Sequence, residues 1–177
     1  DAKVGRLLDA LDAIPLDQLG PGERINAAVF RASLEASEAN ARWRTFEAPF
    51  NSDSFFWGYI NPSQPFQTEA DWRRFIGRLS DVPRYFDEQI ANMERGLARG
   101  WSVPRSTLDG RDTTLEPYVQ TGDANPLLAT FDRIPPSIPE PVRTRLREEG
   151  RRVVQTQTIP AYAKLLQFIR SEYLPRT

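Results

Sequence analysis

The chain has 177 residues, 40% hydrophobic and 27% charged, with 23 Lys+Arg against 24 Asp+Glu and a formal net charge of −1. That length buries roughly 70% of the surface an unfolded chain exposes, and the near-balance of charge leaves no electrostatic footprint for nucleic acid or anionic membrane. The chain contains no cysteine and no histidine, so disulfides, thiol catalysis, a histidine-based triad and a conventional zinc site are excluded from these residues. No apolar run approaches the roughly 18 residues of a membrane span, and no signal-peptide pattern stands at the N-terminus. Exported and cytoplasmic locations both stay open.

Val4, Leu7, Leu8 and Leu11 form an amphipathic stripe that predicts a first helix ending near Ile14-Pro15. Gly20-Pro21-Gly22 reads as a break. A longer second helix follows, with Ile25, Val29, Ala32, Ala36, Ala39 and Trp43 on one face, its small residues suited to the close approach of a neighbour. Residues 45–67 look irregular and are rich in rings: Phe46, Phe50, Phe55, Phe56, Trp57, Tyr59 and Phe66. Thr68 and Asp71 form a capping box for a helix carrying Trp72, Phe75, Ile76 and Leu79. Asp81-Val82-Pro83 predicts a restart, after which Phe86, Ile90, Met93, Leu97 and Trp101 recur at helical spacing until Gly100 stops the helix. Pro104 opens a further helix with Leu108, Leu115 and Val119, interrupted by Gly110 and Pro117. Residues 121–136 read as a loop with one helical turn around Leu127.

The last segment, 137–175, organises the rest. Ser137 and Glu140 suggest a capping box, Pro139 fits a first turn, and Val142, Leu146, Val153, Tyr162, Leu166, Ile169 and Tyr173 follow at helical spacing. Pro160 inside that pattern predicts a kink or the meeting of two helices. Unbroken, the segment spans on the order of 55 Å and needs other helices laid along it. No strand alternation and no internal repeat is visible. The expected class is all-α: a multi-helix bundle around a long, Pro-kinked C-terminal strut. It forms one domain over 1–177, divided into a helical pair (1–44), the aromatic segment (45–67) and a helical region (68–177).

Few residues offer chemistry. The rings between Phe50 and Phe66 could line a cleft for a peptide or another apolar ligand, with Trp57, Tyr59 and Asn61 able to supply both apolar body and hydrogen-bonding tip. Long loops also use aromatics to anchor themselves. The carboxylate pairs Asp9/Asp12, Asp87/Glu88 and Glu148/Glu149 read as solvated surface, and so does the arginine run at Arg143, Arg145, Arg147, Arg151 and Arg152, broken by Glu148 and Glu149. The glycines at 96 and 100 follow a helix and fit a C-cap rather than a phosphate cradle. No catalytic residue and no metal ligand can be assigned within the chain.

Three blocks in order carry a resemblance: Thr68-Glu69-Ala70-Asp71-Trp72 to Arg78-Leu79-Ser80-Asp81-Val82-Pro83; Arg95-Gly96-Leu97-Ala98-Arg99-Gly100-Trp101 to Pro104; and Thr158-Ile159-Pro160-Ala161-Tyr162 to Tyr173-Leu174-Pro175. The last resembles a valine-proline-alanine-tyrosine and tyrosine-leucine-proline signature and is the most specific. Together the blocks look like the N-terminal half of the bacterial family called domain of unknown function 885. The resemblance implies a larger, helical, zinc-metallopeptidase-like parent whose His-Glu-x-x-Pro-Gly-His-His helix lies in its C-terminal half. None of those ligands maps onto a position here. The chain would then be a non-catalytic helical wall of a substrate cleft, with zinc implied for the parent, none in this chain, and the missing catalytic half as its partner. A peptide substrate and a homo-oligomer are compatible with this reading. The alternative is a stand-alone helical module that binds a peptide or partner protein through Phe50 to Phe66.

Overall fold

The computed structural model describes residues 2–60 and 66–177, and all regular elements among them are helical. The chain divides into two compact units, Asp1–Phe46 and Glu47–Thr177. In the first, α1 (Ala2–Asp12) and α2 (Pro21–Trp43) pack side by side. Pro21 opens α2 at the first helical position, where its missing N–H costs nothing, and the Glu23 carboxylate accepts from the Gly20 N–H at 2.8 Å. The face predicted to pack is not the one that does. Leu34 is buried, as is Leu11 on α1, whereas Ile25, Val29 and Trp43 are exposed. The groove beside α1 is formed by Leu11, Leu16, Arg24, Ala27, Ala28 and Arg31, and Arg31 pairs with Asp12. That contact selects the opposite side of α2 and leaves the alanine stripe outward.

The second unit is built on α3 (Glu69–Ala98), 30 residues long. Its start follows the sequence: the Thr68 hydroxyl accepts from the Asp71 N–H at 3.2 Å, and the Asp71 carboxylate accepts from the Thr68 N–H at 2.9 Å. Its end does too, since Gly100 takes a left-handed φ of 71° and the Trp101 N–H donates to the Gly96 carbonyl at 2.8 Å. One continuous stripe is buried along it: Trp72, Phe75, Ile76, Leu79, Val82, Phe86, Ile90, Met93 and Leu97. Each side chain of this size contributes roughly 1.5–3 kcal/mol on burial.

Pro83 does not restart the chain. It lies inside α3. A proline there removes the N–H that would bond the carbonyl four residues back, which is Leu79. The hydroxyl of Thr158, itself buried, donates to the Leu79 carbonyl at 3.1 Å. A neighbouring helix thus satisfies the acceptor that the proline orphans.

Short pieces cross between the long ones. They are α4 (Arg105–Leu108), a 3-10 turn at Arg111–Leu115, α5 (Glu116–Val119), α6 (Pro126–Thr130) and a further 3-10 turn at Phe131–Arg133. Gly110, with φ 71°, makes the break that its position suggested. Buried Asn125 caps α6: its side-chain oxygen accepts from the Leu127 N–H, and its amide donates to the carbonyls of Tyr118 and Gln120.

The C-terminal segment is helical from Glu140 to Arg176: α7 (Glu140–Val153), a π turn at Val154–Thr158, α8 (Ile159–Phe168), a second π turn at Ile169–Tyr173 and a closing 3-10 turn. The predicted capping box of Ser137 and Glu140 is absent. Pro139 is the cap, so Glu140 stands at the first helical position rather than the third, and its carboxylate binds Arg143 and Thr144. At Pro160 the helix widens rather than ends. The Ile159 N–H reaches back to the Val154 carbonyl, five residues away. The buried positions explain the width. Val153 to Thr158 and Val154 to Ile159 are steps of five, which an α-helix would swing about 140° off the buried face at 3.6 residues per turn. The wider turn brings them back.

Candidate functional site

The aromatic segment is the first place where the structure can be asked for a site, and most of its rings point inward. Trp57 is 1% exposed. Its ring meets Phe50 and Phe56 edge-on, each at 5.0 Å between centroids, and Phe55 at 5.1 Å. Its indole N–H donates to the Thr114 hydroxyl at 3.1 Å, and its carbonyl accepts from the Tyr162 hydroxyl at 2.7 Å. Face, edge and polar tip are all used within the core, which leaves Trp57 no surface for a ligand. Tyr59 is 73% exposed, with its hydroxyl 3.4 Å from that of Ser54. Asn61 lies outside the described residues. Of the two expected site residues that are described, Trp57 is spent on the core and Tyr59 is exposed.

The Tyr162 side chain is fully buried in the aromatic core. Phe86 meets its ring edge-on at 4.9 Å, and Tyr118 stacks on it at 4.7 Å and 12°. Burial holds its ionisation well above the ordinary tyrosine range, and the neighbouring Tyr118 adds to the effect. Tyr85, Tyr118 and Tyr173 are raised by burial as well. A folded value above the unfolded one makes the contribution complete below the unfolded value of about 10 and lost as pH rises past it. Urea unfolding between pH 8 and 11.5 is therefore expected to give a flat stability up to about pH 10 from this cause and a decline above it. A midpoint that holds steady across the alkaline range would contradict the burial of these phenols.

Two depressions open on the second unit. One, of about 310 Å³, lies where Pro83 and Asp87 of α3 face Thr156, Pro160 and Lys164; the Lys164 ammonium donates to Asp87 at 2.8 Å. The other, of about 230 Å³, lies at the first turns of α3 and is lined by Phe66, Asp71, Arg74, Phe75 and Arg78. Buried Glu47 pairs with Arg99, whose guanidinium sits 5.3 Å over the Trp101 ring. Gly96 accommodates this corner, because a Cβ there would stand 2.7 Å from the carbonyl oxygens of both Glu47 and Trp101. The pair holds residue 47 against the end of α3 and has the character of a structural tie.

Among the described residues no three carboxylate, imidazole or thiol groups gather, and the chain has neither histidine nor cysteine. Among the described residues, then, no imidazole, thiolate or carboxylate cluster offers the ligand set of a zinc site. The arginines of α7 are partly tied down: Arg151 bridges Asp123 at 2.6 Å and Asp132 at 3.4 Å, and Arg143 pairs with Glu140. No described helix is long and apolar enough to cross a membrane.

Comparison with curated proteins and with solved structures finds no match. The description of a bacterial protein family of unknown function, DUF885, matches residues 1–177, the whole of the chain. The all-helical architecture, the cap at Thr68 and the Thr158-to-Tyr162 motif packed on α3 are thus features of a member of that family: the chain belongs to DUF885, a bacterial family of unknown function.

Proposed function

We propose that the chain is a non-catalytic helical part of a zinc-dependent peptidase, one wall of a cleft that receives a peptide while residues outside this chain hold the metal. The observation that carries the reading is the family match over residues 1–177, joined to the resemblance of its three ordered blocks to a metallopeptidase-like parent. The residue inventory supports the division of labour: without histidine or cysteine the chain can frame a site but supplies neither nitrogen nor sulfur ligands. The competing reading, a stand-alone module binding through its aromatic segment, loses most of its surface to the core, since Phe50, Phe56 and Trp57 are buried.

The test compares two proteins by elemental analysis and peptide turnover. The 1–177 chain is expected to carry no stoichiometric zinc and to cleave no peptide. The product of the complete gene is expected to bind about one zinc per chain and to lose peptide cleavage on chelation. A complete product that holds no zinc, or cleaves peptides equally well after chelation, overturns the proposal.

A further inference from the structure

The first unit leaves much of its apolar surface uncovered. Leu11 and Leu34 are its buried hydrophobics among the described residues, while Ile25 and Val29 on α2 are each 64% exposed and Trp43 is 59% exposed. These three share a face with Ala32, Ala36 and Ala39, all exposed. Steps along that face alternate between four and three residues, the spacing with which one helix packs lengthwise on another. On the opposite side Leu34 is buried and Ala27 and Ala28 line the groove beside α1, so α2 has two apolar sides and its hairpin uses one. Size is graded along the outward face. The large residues stand at its two ends and the alanines in the middle. Two crossing helices are closest at one point, with axes about 8 Å apart where the contact residues are small, and diverge away from it. The order is also nearly symmetric about residue 34: Ala32 answers Ala36, Val29 answers Ala39, and Ile25 answers Trp43. A face that reads almost alike from either end complements a copy of itself turned end to end.

We infer that the outward face of α2 is a self-association surface, on which a second copy of the chain lays its own α2 antiparallel, crossing at the alanines about a two-fold axis. The helix dipoles then oppose one another, and the rest of each chain leaves from opposite ends of the pair. Covering Ile25, Val29, Trp43 and the three alanines removes about 500 Å² per chain, or about 1,000 Å² in all, the lower bound for a specific interface. The dimer is therefore weak. One charge opposes it. Glu35 flanks the face beside its centre, so it approaches the partner's Glu35, and its own neighbour Arg31, at 3.9 Å, is already engaged by Asp12. The inference stands apart from the peptidase reading, because association is measured on this chain without metal or turnover.

Sedimentation equilibrium of the full 1–177 chain, from about 5 to about 500 µM, is expected to follow a monomer–dimer equilibrium with a Kd on the order of 100 µM. Ala36→Glu puts a charge at the crossing and is expected to stay monomeric throughout, with helicity and melting of the dilute protein unchanged because Ala36 is exposed. Glu35→Gln is expected to tighten the dimer about twofold. The chain has no cysteine of its own, so Ala32→Cys and Ala36→Cys report the direction of packing: mixed and oxidised, they are expected to cross-link faster than either variant alone. A chain that remains monomeric at the highest concentration overturns the surface. So do growth beyond the dimer, a dimer undiminished in Ala36→Glu, a weaker dimer in Glu35→Gln, or each cysteine variant linking fastest to itself.

Discussion

A methyl group placed on Gly150 is expected to destabilise the chain by about 3 kcal/mol or more, a large share of the roughly 5–15 kcal/mol that holds a domain folded. Gly150 is buried in α7, and a Cβ built on it would stand 2.0 and 2.1 Å from two ring carbons of Phe131. That ring has nowhere to go. Phe131 is fully buried, packed at 5.7 Å on Trp72 and 5.8 Å on Phe75, so α7 rather than the ring has to move. Helix propensity alone would make Gly→Ala favourable by about 1 kcal/mol, which gives the experiment its control. Gly77, exposed in α3 with nothing within 4 Å of an added Cβ, is expected to gain about 0.5–1 kcal/mol on the same substitution. Urea denaturation of the two variants against the parent decides the point. Effects of the same sign would mean that Phe131 does not occupy the space over Gly150.

Thr158→Val is the second. It keeps the shape of the side chain and removes the hydroxyl that serves the Leu79 carbonyl. A buried acceptor left without a partner costs about 1–3 kcal/mol. The cause can be isolated, because the need for Thr158 is set by Pro83, whose ring nitrogen has no proton to offer. In a Pro83→Ala background the alanine N–H can take up Leu79 within the helix, and Thr158→Val is then expected to cost less by about 1 kcal/mol or more. Strict additivity of the two substitutions would show that the hydroxyl and the proline act independently.

The legible parts of the fold were those fixed by neighbours in sequence. Thr68 with Asp71, the stripe from Trp72 to Leu97 and the stop at Gly100 all depend on residues within a turn or two, and all are where the pattern puts them. The errors have non-local causes. Pro83 reads as a restart because the hydroxyl that serves the Leu79 carbonyl comes from Thr158, 79 residues beyond Leu79. The π turns have no slot in a 3.6-residue template, so the five-residue steps in the pattern look like noise. On α2 the alanine stripe and its opposite face are both plausible seams, and α1 decides between them through Leu34 and Arg31. The candidate site was less legible. An aromatic segment can line a cleft or anchor a loop, and a bond from Tyr162, 105 residues on, makes Trp57 an anchor.

The order in which this core closes has a consequence for synthesis. The stripe along α3 is complete once Leu97 is made, yet the residues that cover it at Leu79 and Phe86 belong to the stretch from Thr158 to Tyr162. At about 5–20 residues per second the ribosome takes several seconds to supply them. Throughout that interval the α3 face at Leu79 and Phe86 lacks the cover that Thr158 to Tyr162 provides, and long-range closure of this kind is slow even after the last residue arrives. Until Thr158 reaches Leu79, a nascent chain of this design keeps that apolar face open to other chains.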